Sequence, residues 1–215
     1  MFRISFTLLM VCTFAQGFQQ DTPSPDSVRE KDVYAIYSLM LTNPATSHGP
    51  YTSDRYLIAG TTGPGYPQEP CVRPPKEREA EFRQVLADYN SRKATPRQLK
   101  RAFSISKPYD LLRPDEVKDF MSARLMPGGN PLVERFRGLT DVITLSDVYF
   151  NQQGTLVLTA ISTWCGGLCA SYQWKVFEKV DSGKWDERQW TTCTAEAGNI
   201  GFPAILRNEE SAMAR

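Results

Sequence analysis

The final third of the chain contains four β-rich runs separated by very short turns, and this pattern limits the fold more than any other feature. The turns are rich in glycine and polar residues, as tight turns are. Connections this short join antiparallel neighbours. The sequence therefore predicts a four-stranded β-meander over residues 141–150, 155–165, 169–180 and 184–194.

The first half of the chain is predicted to be mainly helical. Ser27 and Glu30 have the spacing of a capping box, and the apolar residues from Val33 to Leu41 fall on one helical face. Asn43-Pro44 ends this helix. Further helices are predicted over 75–90, 95–103 and 114–121, and a strand over 55–62.

These elements indicate an α+β fold. We expect an antiparallel sheet of four to five strands that contains the C-terminal meander. We also expect the N-terminal helices to pack together on one face of that sheet.

The N-terminus has the pattern of a secretory signal peptide. Arg3 precedes an apolar run over 4–14, and small residues follow it, so residues 1–17 are predicted to be cleaved on export. The apolar run is too short to span a bilayer. We expect a secreted or periplasmic protein with a disordered lead over 18–25, one globular domain over 26–207 and a flexible tail over 208–215.

Export changes the expected chemistry of the cysteines. Cys12 leaves with the signal peptide, and an even number remains, which predicts two disulfides. Three pairings are open. Cys165 and Cys169 enclose Gly166-Gly167-Leu168 at a hairpin tip, which favours a structural bridge there, with thiol–disulfide exchange or a metal site as alternatives. That bridge would leave Cys71 to pair with Cys193.

Few residues are available for catalysis. His48 is the single histidine, so a zinc site with several histidines is excluded. The chain has no G-x-S-x-G motif and no glycine-rich phosphate loop. The sequence therefore predicts no catalytic residue, cofactor or metal. Hydrolysis by a carboxylate pair stays open, with Asp141, Asp147 and Glu178 as candidates.

Charge gives one candidate surface. The net charge is +1, which argues against generic nucleic-acid binding. Residues 91–109 contain six basic residues and no acidic one, and Arg97, Lys100 and Arg101 would share one face of the predicted 95–103 helix. This face is a candidate contact for an anionic partner or glycan, or simply a solvated surface. We expect a non-catalytic binding module, with an extracellular hydrolase or a thiol–disulfide exchanger as alternatives.

Five short segments of the C-terminal third resemble a pattern in a group of uncharacterised secreted bacterial proteins. The segments are Leu-Ser-Asp-Val-Tyr-Phe-Asn at 145–151, Gly-Thr at 154–155, Cys-Gly-Gly-Leu-Cys at 165–169, Phe-Glu-Lys at 177–179 and Gly-Lys-Trp at 183–185. Phe177 replaces the usual leucine of the group, and Ala170 replaces a glycine that often follows the second cysteine. The resemblance implies export and a cysteine hairpin, and it implies no catalytic residue.

Overall fold

The structure is a computed structural model that describes residues 25–42, 54–63, 70–125, 139, 141–166, 169–192 and 195–196. Three α-helices lie in these ranges: α1 (Pro25–Thr42), α2 (Glu79–Arg92) and α3 (Pro114–Leu125). The predicted signal peptide, nearly all of the predicted lead, His48 and the predicted tail lie outside the described residues.

Three of the four predicted helices are confirmed. α1 ends at Thr42, directly before Asn43-Pro44, and buries the predicted apolar face. α2 follows a single 3₁₀ turn, Lys76–Arg78, and buries Phe82, Val85 and Tyr89. α3 begins at Pro114, where a proline without an N–H is well tolerated, and continues to Leu125.

The helix predicted over 95–103 is wrong. This segment instead lies along the end of the first strand, where the Thr62 N–H donates to Arg97 O at 2.8 Å and the Leu99 N–H donates to Gly60 O at 2.8 Å. These hydrogen bonds satisfy the backbone without a helix, and Leu99 and Phe103 are buried in the core. Arg97, Lys100 and Arg101 therefore do not share a helix face.

The described strands form one large sheet and one small one. The large sheet has eight strands, with the order β10-β7-β6-β4-β1-β3, and with β5 also paired to β6 and β8 to β7. β2 and β9 form a separate two-stranded sheet. The strands are β1 (Tyr56–Ala59), β2 (Val72–Arg73), β3 (Tyr109–Leu112), β4 (Val142–Leu145), β5 (Tyr149–Phe150), β6 (Leu156–Gly166), β7 (Cys169–Lys179), β8 (Trp185–Arg188), β9 (Thr191–Thr192) and β10 (Ala195–Glu196).

The large sheet is mixed, so the expected antiparallel sheet of four to five strands is wrong. The meander is present, because β6 pairs antiparallel with β4, β5 and β7, and β7 with β8. β1, however, pairs parallel with both β3 and β4. The physical reason lies in the connections between these strands. The chain passes from β1 to β3 through α2 and from β3 to β4 through α3, and long crossovers of this kind permit parallel pairing.

The helices cover both faces of the sheet, so the prediction that they pack on one face is also wrong. α1 packs in a cluster that contains Val157, Ile161 and Phe177. α2 packs in a second cluster with the alternate residues of the same strands, including Leu158 and Trp174. Successive side chains of a strand point to opposite faces, which places α1 and α2 on opposite sides of β6 and β7. α3 packs on the α2 side, against a cluster that includes Leu57, Leu112 and Val142.

Candidate functional site

A cavity of about 350 Å³ lies where the parallel strands β1 and β4 end. The Gly63 N–H, beyond β1, donates to the carbonyl oxygen of Leu145, the last residue of β4, at 2.9 Å. α1 contributes Arg29, Glu30 and Val33 to the cavity wall. The remaining wall comes from Arg92 at the end of α2, from Arg97, and from Asp147 and Val148 after β4. Ligands commonly bind beyond the carboxyl ends of parallel strands, so this position is a candidate site.

The connection between β4 and β5 holds Asp147 at the cavity. Both strands pair with β6, and residues 146–148 interrupt them. The Ser146 N–H donates to Ala160 O at 2.9 Å, and the Ser146 hydroxyl accepts the Ala160 N–H at 2.7 Å. The Val148 N–H donates to Asp147 Oδ1 at 2.8 Å. Ser146 and Asp147 thus form hydrogen bonds within the connection itself, and the Asp147 carboxylate takes no part in the pairing of the strands.

Asp147 is a buried carboxylate held by two arginines. Its side chain is 8% exposed, and Arg97 Nη2 lies 3.0 Å from Asp147 Oδ1. Arg92 Nη1 donates to the other carboxylate oxygen. A buried charge is tolerated when it is paired and hydrogen-bonded in this way.

Arg92 has little capacity left for a ligand. Its Nε donates to Asp88 Oδ1 at 2.8 Å, its Nη2 donates to Val148 O at 2.8 Å, and its Nη1 is engaged by Asp147. The guanidinium also lies over the Tyr149 ring, 5.2 Å from the centroid. Burial opposes the charged form, but the hydrogen bond to Asp88 and the nearby charge of Asp147 outweigh it and raise the pKa of Arg92. Arg92 is therefore a structural cation that positions Asp147.

Asp88 of α2 is the second carboxylate of this network. It accepts the Phe150 N–H at 2.8 Å and lies 3.1 Å from Arg29 Nη2 of α1. Burial raises the pKa of its carboxyl, but the hydrogen bonds from Arg92 and from the Phe150 N–H outweigh burial, so the pKa lies below its ordinary value.

Arg29 and Arg97 retain hydrogen-bond donors. Arg29 is half-exposed, contacts Asp88 through Nη2, and has its guanidinium 4.7 Å from the centre of the Phe150 ring. Arg97 Nη2 contacts Asp147 and, at 3.4 Å, the Tyr37 hydroxyl. Arg97 Nε is buried and has no hydrogen-bond partner within the described part of the chain.

The predicted patch of Arg97, Lys100 and Arg101 is divided among three carboxylates. Arg97 pairs with Asp147, Lys100 Nζ lies 2.6 Å from Glu30 Oε1 at the cavity, and Arg101 Nη2 lies 3.6 Å from Asp110 Oδ1. Sequence reasoning missed Arg29 and assigned no role to Arg92. Arg92 belongs to the basic stretch that the sequence marks, whereas no local pattern distinguishes Arg29.

The candidate carboxylates Asp147 and Glu178 lie in separate arginine clusters. Asp147 contacts Arg92 and Arg97, whereas Glu178 on β7 accepts hydrogen bonds from Arg78 and, at 2.7 Å, from Arg188 Nε. Asp141 directly precedes β4. The described contacts of Asp147 and Glu178 share no residue.

Two cysteines have described side chains, and both Cys71 and Cys165 are disulfide-bonded. Gly166 next to Cys165 has a φ of 140°, a conformation that favours glycine, and its backbone pairs with Cys169 across the hairpin. The pairing of the sulfurs stays a prediction, because the Cys169 side chain and Cys193 lie outside the described residues.

The described residues contain no group of three His, Cys, Asp or Glu side chains placed to hold a metal ion. None of the helices in these ranges is long and apolar enough to cross a membrane. Comparison with protein-family models, with curated proteins and with solved structures finds no match to this chain.

Proposed function

We propose that this chain is an exported, non-catalytic binding module whose ligand site is the arginine-lined cavity between α1, α2 and the end of β4. One observation carries the proposal: the buried carboxylate of the cavity is already bonded to two arginines and to a backbone N–H. A general base must lie within hydrogen-bond reach of the substrate proton, and both oxygens of Asp147 already face donors of the protein. Asp147 is engaged instead in holding Arg92 and Arg97, so the cavity wall offers hydrogen-bond donors and apolar surface.

The packing of the helices at the wall supports this proposal. α1 and α2 each bury an apolar face in the core, and the Tyr37 hydroxyl of α1 donates to Ser146 O at 2.8 Å. Four of the lining residues lie on these packed helices, and a wall held in this way keeps its geometry before a ligand arrives, which lowers the entropic cost of binding.

Export and two disulfides are part of the same proposal. We propose cleavage after residue 17 and bridges between Cys71 and Cys193 and between Cys165 and Cys169. β2 directly follows Cys71 in the sequence and pairs antiparallel with β9, which ends one residue before Cys193. The near-neutral charge of the chain favours a partner other than nucleic acid.

Obstruction of the cavity tests the proposal. Glu30→Trp introduces a large side chain at the cavity wall. It removes the ion pair between Glu30 and Lys100, which contributes little because both groups are partly exposed. Lys31→Trp is the matched control, because Lys31 is exposed on the same helix and does not line the cavity. A panel of small organic molecules is screened by thermal shift against the disulfide-bonded protein and both variants.

We expect compounds that raise the Tm of the wild type and of Lys31→Trp to lose that effect in Glu30→Trp. A panel that stabilises all three proteins equally, or none of them, contradicts a binding site in the cavity. Hydrolysis of a glycan by the wild type that is lost in both Asp147→Asn and Glu178→Gln contradicts the non-catalytic assignment and supports a carboxylate hydrolase.

A further inference from the structure

The cavity carries one uncompensated positive charge among the described residues. Three arginines, Arg29, Arg92 and Arg97, face two aspartates, Asp88 and Asp147, through the ion pairs described above. Glu30, the other acidic residue of the wall, is paired with Lys100. A ligand with a single negative charge would balance this excess, whereas a doubly charged ligand would bring one negative charge too many into a partly buried site.

The two arginines with spare donors suit a planar anion. Arg29 and Arg97 each use Nη2 for a carboxylate of the protein, and their guanidinium groups carry further N–H donors in a rigid plane. The planar guanidinium matches the two oxygens of a carboxylate, and such charge-assisted bonds are the stronger ones in proteins.

The wall also contains two apolar side chains. Val33 of α1 and Val148 after β4 both line the cavity. A volume of about 350 Å³ is at the lower end of small-molecule sites, which combine apolar surface with a few convergent polar groups. The wall therefore suits a small molecule with an apolar body and one charged end.

We infer that the cavity binds a small organic acid through its single carboxylate, with Arg29 and Arg97 as the ligand-contacting cations and Val33 and Val148 against the apolar body. The inference rests on the proposed function and adds the chemical class of the ligand. Arg92 and Asp147 do not contact the ligand in this arrangement. They hold Arg97 and the 146–148 connection in place.

Matched acids and amides test the inference on the disulfide-bonded protein. The probes are benzoate with benzamide and hexanoate with hexanamide, and inorganic phosphate supplies a more highly charged anion. Binding is followed by titration in two-dimensional NMR spectra that resolve the arginine Nε–Hε signals. We expect the carboxylates to shift the signals of Arg29 and Arg97, and the amides and phosphate to bind at least about tenfold more weakly.

The variants Arg29→Gln and Arg97→Gln are expected to weaken binding of the carboxylates by about tenfold or more. Arg29 is half-exposed, so Arg29→Gln keeps the test valid even where Arg97→Gln fails to fold. Arg113→Gln is the control, because Arg113 is an exposed arginine that pairs with Asp115 at the start of α3.

Three results would overturn the inference. If each amide binds as tightly as its acid and Glu30→Trp abolishes both, the carboxylate assignment is wrong and the proposed binding site stands. If Glu30→Trp leaves the binding of every probe unchanged, both the carboxylate assignment and the assignment of the cavity as the site are wrong. If no probe binds to the wild type, the carboxylate assignment is wrong.

Discussion

Arg29 of α1 and Asp88 of α2 form an ion pair at 3.1 Å, although the two helices pack on opposite faces of the sheet. Both residues contact Phe150 of β5, a strand of only two residues. Asp88 also accepts the Phe150 N–H of β5, a donor that a neighbouring strand would otherwise use. A single carboxylate thus occupies one backbone donor of β5 and connects the helices that form the cavity.

The Asp88→Asn variant should change how stability depends on pH. Because the pKa of Asp88 is lowered in the folded protein, its carboxylate contributes stability above the unfolded-state pKa, about 3.9, and this contribution is lost as pH falls through the folded-state pKa. The variant should be less stable than the wild type near neutral pH, and the difference should shrink on acidification below about pH 4. Urea unfolding between pH 2 and 7 measures it. A difference independent of pH would contradict the assignment.

The Asp147→Asn variant should be destabilised by about 2–3 kcal/mol, because it leaves Arg92 and Arg97 facing a neutral amide in a partly buried site. The partial exposure of both arginines keeps the loss below that of a fully buried pair. The control is Asp115→Asn, at an exposed pair with Arg113 in the first turn of α3, which should lower the unfolding midpoint much less. If both substitutions lower the free energy of unfolding in urea by the same amount, the burial of Asp147 adds nothing to the stability that its ion pairs contribute.

The Gly60→Ala variant should be destabilised by about 1–3 kcal/mol through steric overlap. An alanine Cβ at this position would lie 2.7 Å from the carbonyl oxygen of Leu112, which accepts the Gly60 N–H at 2.6 Å. The comparison is Gly63→Ala, whose Cβ would approach the Thr144 methyl group at 3.0 Å. A side-chain methyl group moves more easily than a strand backbone, so the loss there should be smaller. The opposite ranking in chemical denaturation would contradict this account.

The disulfide pairing can be read from non-reducing peptide mapping of the exported protein. We expect a peptide that links Cys71 to Cys193 and a peptide that contains the Cys165–Cys169 bridge. On the loop-entropy model, Cys71→Ser should cost up to about 5 kcal/mol and Cys165→Ser about 2 kcal/mol, because the first bridge closes a far longer loop. A linkage of Cys71 to Cys165 or Cys169 would refute the pairing.

Local patterns in the sequence predicted three helices and the meander because each depends on contacts between near neighbours. The turn sequences and alternating runs determine how β6, β7 and β8 pair. The spacing of Phe82, Val85 and Tyr89 reports the buried face of α2 without reference to the rest of the chain. These signals do not say which face of the sheet each helix covers.

The errors concern partners distant in sequence. The Thr-Pro-Arg-Gln run at 95–98 has a good local helix start, but pairing with the end of β1 and burial of Leu99 and Phe103 outweigh it. β3 is only four residues long and lies at the edge of the sheet, so its pattern is weak. The cavity likewise depends on Arg29 and Asp147, which belong to elements that no local pattern connects.

The central position of β1 has a consequence for the order of assembly. β6 and β7 meet through a tight hairpin, whereas β1 pairs with two strands that are synthesised much later and reached through crossovers. Closing such long loops is entropically costly and slow, so we expect the hairpins to form first and β1 to insert between β3 and β4 afterwards. The cavity would then be completed only in the last stage of folding.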